Sequence, residues 1–204
     1  MKNIGYFFAF EGIDGSGKTT QTKAVAKQIS NSYFTAQPSK GPMGRLIREY
    51  LSTEKTCPPK ALSALFVADR LDHILGENGL LSLKERGEII LCDRYYFSSF
   101  AYQTLDQSLE DVITLNQEPR KLFPPDATFY IDVPPEIALK RLTQRGNSLD
   151  IFETEEKLKE IYQNYQKAFT TLQKEEKIII IDGTREEKII TEDILSKIRE
   201  ITEN

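Results

Sequence analysis

The run Gly12-Ile13-Asp14-Gly15-Ser16-Gly17-Lys18-Thr19 has the residue types and spacing needed to hold the phosphates of a nucleoside triphosphate. Glycines at 12, 15 and 17 let the backbone turn its N–H groups inward, and a helix opening at Lys18 adds a dipole that favours negative charge. Lys18 supplies a point charge for the β- and γ-phosphates, Thr19 offers a hydroxyl to Mg²⁺, and Ile13, Ser16 and Thr20 complete the nucleotide-binding run. Because Mg²⁺ dehydrates reluctantly, it keeps waters and substrate phosphates as ligands rather than needing a protein cage. Asp14 either holds a metal-bound water or caps the turn. The loop alone does not identify which nucleotide is held or what accepts the phosphoryl group, since kinases, ATPases, GTPases and translocators share it.

A second set of charges follows another apolar run. Asp93-Arg94 succeeds Glu88-Ile89-Ile90-Leu91-Cys92, which puts both at the carboxyl end of a strand, beside the phosphate loop. Asp93 can position Mg²⁺ waters or take the acceptor's proton, Arg94 offers a planar fork to a second phosphate, and the bland alternative is a strand-end ion pair. Ser98, Ser99, Tyr102 and Gln103 then present hydroxyls, a phenol and an amide that can read a base or a sugar. Phe66 and Arg70 are four apart in a helical pattern and so share one face. They read either as a stacking ring with a base-facing donor, or as a core aromatic with an arginine paired to Asp69 or Asp72.

Five apolar runs can carry these residues: Tyr6 to Phe10, Tyr33 to Ala36, Glu88 to Cys92, Ala127 to Val133 and Lys177 to Ile181. Helical periodicity lies between and after them, over Lys18 to Ser30, Pro59 to Arg86, Pro135 to Arg145, Glu155 to Glu175 and Glu186 to Ile201. The lack of polar alternation in Ile178-Ile179-Ile180-Ile181 and Ile89-Ile90-Leu91 predicts strands covered on both faces. The alternation of strands and helices predicts a three-layer α/β fold, with a central five-stranded parallel sheet flanked by helices. Residues 1–204 show no composition shift, so one domain is expected.

A net charge of -4 gives no basic field for nucleic acid, and no run reaches the length of a membrane span. Cys57 and Cys92 suit neither a disulfide framework nor a metal cluster, and the first residues do not resemble a signal peptide, so a cytoplasmic setting is expected. His73, the only histidine, is read as a surface helix position, and the Lys/Glu-rich stretch from Glu153 to Lys177 as a solvated helix face.

Four blocks together resemble the thymidylate kinase family over nearly the whole chain: Phe10 to Thr20, Leu65-Phe66 with Asp69-Arg70, Asp93-Arg94-Tyr95 with Ser98-Ser99 and Ala101-Tyr102-Gln103, and Tyr130 to Glu136. The resemblance implies a P-loop kinase fold and transfer of the γ-phosphoryl group of ATP to dTMP with Mg²⁺. It implies that Phe66 stacks on thymine, Arg70 contacts a base oxygen, Ser98, Ser99 and Gln103 line the base site, and Tyr102 crowds the 2′ position. Arg48 and Arg94 would hold the acceptor phosphate, and Thr19, Asp14 and Asp93 would attend the metal. Relatives often carry Arg-Glu-Pro where this chain has Ala36-Gln37-Pro38, and one branch has an arginine where this chain has Gly15. The transition-state arginine is therefore expected from a short lid around residues 142–152, with Arg145 in that role and Arg141 against adenine. The family is typically dimeric, and Phe100 or the helix around Leu62 is a candidate interface. The alternatives are another deoxynucleoside monophosphate kinase, or a nucleotide-triggered regulatory switch.

Overall fold

The apolar runs pair side by side. In the computed structural model, which describes residues 5–52, 56–144 and 154–203, they form β1 (Tyr6–Glu11), β2 (Ser32–Ala36), β3 (Ile89–Asp93), β4 (Ala127–Asp132) and β5 (Ile178–Asp182). All pairings are parallel, in the order β2-β3-β1-β4-β5. Side chains alternate faces along a strand, so the complete burial of Phe7, Phe8 and Phe10 on β1 requires cover on both sides of the sheet. Each such ring stabilises the fold by roughly 1.5–3 kcal/mol. The chain winds from β1 toward β3 and β2 on one side and β4 and β5 on the other, which opens a crevice at the carboxyl end of β1.

β5 departs from the expectation of two covered faces. Among the described residues it pairs only with β4, and Ile180 is 60% exposed while Ile181 is buried. The isoleucine run therefore marks an edge strand.

The helices are α1 (Lys18–Ala26), α2 (Pro42–Ser52), α3 (Pro59–Leu75), α4 (Leu80–Glu85), α5 (Tyr96–Tyr102), α6 (Leu109–Leu115), α7 (Gln117–Leu122), α8 (Pro135–Gln144), α9 (Glu155–Leu172) and α10 (Glu187–Thr202). The single helix expected over residues 59–86 is two, α3 and α4, separated by Gly76, Gly79 and an Asn78 at φ 55°, a left-handed conformation that asparagine tolerates. Helical periodicity did not single out α2, α5, α6 or α7, of which the last three span no more than seven residues each.

The Lys/Glu-rich segment has a second, buried face. Thr154 caps α9 by accepting from the Lys157 N–H at 3.4 Å, and Leu158, Ile161, Tyr165 and Phe169 enter the core. There they meet the aromatic residues of α5, with Phe97 and Phe169 ring centroids 5.1 Å apart. Phe100 is fully buried in this cluster, which removes it from any dimer surface. Among the described residues no helix is long and apolar enough to cross a membrane. The expected lid begins at the end of α8 with Leu142 to Gln144; Arg145 lies outside the described residues.

Candidate active site

The first element of the site is the turn from β1 into α1. Gly12, Gly15 and Gly17 adopt φ values of 151°, 80° and 92°, conformations that L side chains rarely enter. A Cβ on Gly15 would also sit 2.4 Å from the Ala138 carbonyl of α8, so the loop is closed against that helix with no room for a side chain. Lys18, 6% exposed, donates to the carbonyl of Ile13 at 3.3 Å and to Asp14 Oδ1 at 3.2 Å. Burial lowers its pKa most, and the nearby Arg94 charge lowers it further. Ser16 Oγ is buried inside the loop without a partner among the described residues.

Thr19 Oγ1 donates to Asp93 Oδ2, while Asp93 Oδ1 is buried with no partner among the described residues. A carboxylate oxygen without a donor, next to a threonine hydroxyl at the mouth of a phosphate loop, is a donor set that fits Mg²⁺. No cluster of three His, Cys, Asp or Glu side chains that could hold a metal ion is present among the described residues.

Arg94 sits at the seam. Its φ of 69° is strained for a residue with a Cβ, at a cost of roughly 1–3 kcal/mol, and turns the chain sharply from β3 into α5. Its guanidinium ion-pairs with Asp14 of the phosphate loop, donates to Ser98 Oγ at 3.1 Å and to Tyr102 Oη at 3.2 Å, and lies 4.8 Å from the Tyr102 ring centroid. Asp14 also accepts from Tyr102 Oη at 2.7 Å. Burial works to raise the Asp14 pKa, but Arg94 and then Lys18 overcome it and hold the carboxyl well below its ordinary range. Asp14 is therefore held as an anion between two cations.

Two residues that sequence reasoning missed support this seam. Glu11, fully buried at the end of β1, accepts from the N–H groups of Tyr95 and Ser98 at 2.7 and 3.1 Å through Oε1, and from Ser98 Oγ and Tyr165 Oη at 2.6 and 2.9 Å through Oε2. It caps the start of α5 from another element and ties that helix to β1 and α9. The only signal for Glu11 was its position between the apolar run and Gly12, and none pointed to Tyr165.

A cavity of about 230 Å³ opens beyond Arg94, lined among others by Phe66, Arg70, Ser98, Ser99, Tyr102 and Gln103. Phe66 is half-buried in this wall and lies outside the main core cluster. Arg70 is 1% exposed and pairs with neither Asp69 nor Asp72 by hydrogen bonds. It donates to Gln37 Oε1 at 2.8 Å, Asn116 Oδ1, the Tyr95 carbonyl at 3.3 Å and Ser99 Oγ at 3.1 Å. Asp69 instead accepts from the Ser39 N–H and Oγ at 2.7 and 2.6 Å. Asn116, buried between α6 and α7, is a further residue with no sequence signal. Gln103 Oε1 is buried beside the cavity with no partner among the described residues.

Arg48 lies apart from this group. It is exposed on α2 and donates to the carbonyls of Pro38 and Ser39 at 2.8 and 2.6 Å, outside the cavity lining. On the donor side, a hollow of about 410 Å³ runs past Gly15, Thr20 and Arg141, whose guanidinium bonds the carbonyls of Ser16 at 3.3 Å and Gly183 at 2.9 Å. His73 is not a solvated surface residue: it is half-buried, with Nε2 3.0 Å from Thr35 Oγ1 and Nδ1 3.5 Å from Gln37 Nε2.

The family model for thymidylate kinase matches residues 10–194. Three similar proteins are named as thymidylate kinases, the first two provisionally and the third outright. One from Treponema pallidum (strain Nichols) is 37% identical over 98% of each chain. One from Methanocaldococcus jannaschii is 38% identical, covering 88% of this chain and 87% of its own. One from Ligilactobacillus salivarius (strain UCC118) is 34% identical over 94% of this chain and 96% of its own.

Proposed function

The chain belongs to the thymidylate kinase family, and from that membership we propose that it transfers the γ-phosphoryl group of ATP to the 5′-phosphate of dTMP, giving dTDP and ADP. The observation that carries this reading is Arg94, which joins the phosphate loop through Asp14 to a cavity lined by an aromatic ring and a buried arginine. A switch that hydrolyses its nucleotide has no use for that second compartment.

Phosphoryl transfer asks the protein for positioning and charge neutralisation more than for covalent work. The loop N–H groups, Ser16 Oγ and Lys18 would hold the donor phosphates. Thr19 and Asp93, with Asp14 close by, would hold Mg²⁺, which neutralises charge on the transferring phosphoryl group when bound. In the acceptor half, Arg94 exchanges Asp14 for phosphate oxygens, Phe66 stacks on the base, and Arg70, Ser99 and Gln103 read its edge. Tyr102 lies against Arg94 and would crowd a 2′-hydroxyl, favouring the deoxy sugar. Arg48 reaches the acceptor phosphate only if it leaves the Pro38 and Ser39 carbonyls. Arg141 borders the adenine hollow, and Arg145 closes over the transferring group from the lid at 142–152.

We take residues 1–204 as one such domain, working as a homodimer in the cytoplasm. A coupled assay of ADP release across dTMP, dUMP, UMP, CMP and dGMP tests the reading. Fastest turnover of dTMP is expected, and faster turnover of dGMP would overturn it. Saturating dTMP alone should raise Tm through ligand linkage, whereas no shift would favour the switch.

A further inference from the structure

Arg70 can only donate hydrogen bonds, so the atom of the Gln37 amide 2.8 Å from its Nε must be the oxygen. The amide NH₂ then points the other way, 3.5 Å from His73 Nδ1. An NH₂ group facing an imidazole nitrogen needs an acceptor there, so Nδ1 carries no proton. Nε2 does carry one and donates it to Thr35 Oγ1 at 3.0 Å. Only this tautomer satisfies the chain from Thr35 through His73 and Gln37 to Arg70. A second proton on the ring would set an N–H against the amide NH₂ and release or flip Gln37.

We infer that His73 is a positioning residue for base recognition: its bare Nδ1 holds Gln37 in the orientation that presents Oε1 to Arg70. The inference rests on Arg70 reading the acceptor base, as proposed above. Gln37 is suited to this relay because it is 6% exposed and its backbone N–H is fixed to the Asp93 carbonyl at 3.0 Å. A glutamate here would need no such orientation, since both of its oxygens accept.

The two residues form part of a wall between two hollows. Gln37 lines the base cavity, whereas His73 lines a separate crevice. Asp69, Arg70 and Asp72 on α3 act on the imidazole by their charge, and Lys40, Arg48 and Glu77 line the same crevice. β2 adds the Tyr33 phenol. Burial outweighs the two aspartates and lowers the His73 pKa from its ordinary 6.5. The folded chain thus binds this proton less readily than the unfolded chain, and stability falls as pH drops below 6.5 toward the native value. A base that engages Arg70 should lower the His73 pKa further, and by reciprocity protonation should weaken binding by the same factor.

The single histidine makes the test direct, because an untagged chain gives one imidazole spin system. Thymidine is the probe, having no phosphate to titrate. At pH 8 without ligand, ring ¹⁵N shifts should report the Nε2–H tautomer. Saturating thymidine should lower the His73 pKa by about half a unit or more, with affinity falling as pH drops from 8 and approaching the matching factor of about three or more once pH is below both the free and the bound pKa. His73→Asn, whose side-chain oxygen can accept from Gln37, should keep the pH 8 affinity within about twofold and lose its pH dependence, whereas His73→Leu should lose affinity several-fold at both pH values. A proton on Nδ1 at pH 8, or a His73 pKa unmoved by bound thymidine, overturns the relay. Should a variant not fold, the unmodified chain still decides. Failure of both dTMP and thymidine to bind at pH 8 would overturn the proposed function instead, and the tautomer would still judge the hydrogen-bond chain.

Discussion

Glu11 offers a sharp test of what holds the seam between the two nucleotide sites. Removing its side chain in Glu11→Ala leaves the N–H groups of Tyr95 and Ser98 unsatisfied at a fully buried position. At roughly 1–3 kcal/mol each, the loss should be about 1–5 kcal/mol after the relief of burying a charge is subtracted. Glu11→Gln should behave very differently. Both backbone donors use Oε1, which the glutamine oxygen can replace, while Oε2 receives only hydroxyls, from Ser98 and Tyr165. Hydroxyls can rotate to accept from the new NH₂: Ser98 still has a lone pair for Arg94, and Tyr165 can turn its proton to the Gly12 carbonyl, 3.4 Å away. Burial raises the Glu11 pKa despite its donors, so ionisation removes stability as pH rises through the folded pKa. A permanently neutral glutamine avoids that loss, which puts Glu11→Gln within about 1 kcal/mol of the parent at pH 7.5. Urea denaturation of the three proteins at pH 5 and 7.5 measures this directly. If glutamine costs as much as alanine, the charge rather than the hydrogen-bond pattern holds α5, and the reasoning fails.

Three further outcomes follow from the site. Phe66→Ala should raise KM for dTMP by about 10- to 100-fold with a smaller change in kcat, since base stacking contributes roughly 1–3 kcal/mol; an unchanged KM would return Phe66 to a packing role. Gly15→Arg should weaken ATP binding at least tenfold and lower Tm, because φ is 80° and a Cβ would lie 2.4 Å from the Ala138 carbonyl; full ATP affinity would show that the loop and α8 separate readily. Arg145→Ala should lower kcat by at least about 100-fold, or 2.7 kcal/mol, with dTMP affinity little changed, and equal losses in both would exclude a lid role.

The parts of the site visible in sequence were those encoded over a few consecutive residues. The phosphate loop needs only its own glycines, Lys18 and Thr19, and Arg94 declares itself by following a strand. Phe66 and Arg70 were placed on one helical face by their spacing, but only the fold could choose between core and cavity for them. The Glu11–Tyr165 bond was invisible because it spans 154 positions, and Asn116 because nothing local marks a residue between two short helices as an arginine's partner. The isoleucines of β5 misled for a related reason: apolar runs report strand propensity, while cover on both faces depends on sheet order.

The two arginines of the acceptor half, Arg70 buried and Arg94 partly exposed, are held in opposite ways, and the difference matches what each would bind. Arg94 carries an anionic partner, Asp14, so an arriving phosphate replaces one negative charge with another and the guanidinium never loses its compensation. Arg70 is surrounded by neutral acceptors from Gln37, Asn116, Tyr95 and Ser99, which take four of its five N–H groups. A neutral base could not compete with a carboxylate for that guanidinium, but it can take the fifth N–H without displacing anything. Replacing Gln37 by Glu would give Arg70 an ionic partner, remove the need for a bare His73 Nδ1, and turn the amide-ordering problem into a simple ion pair. The departure at position 37 is therefore coherent with His73 and Arg70, and these three residues should be exchanged together rather than singly.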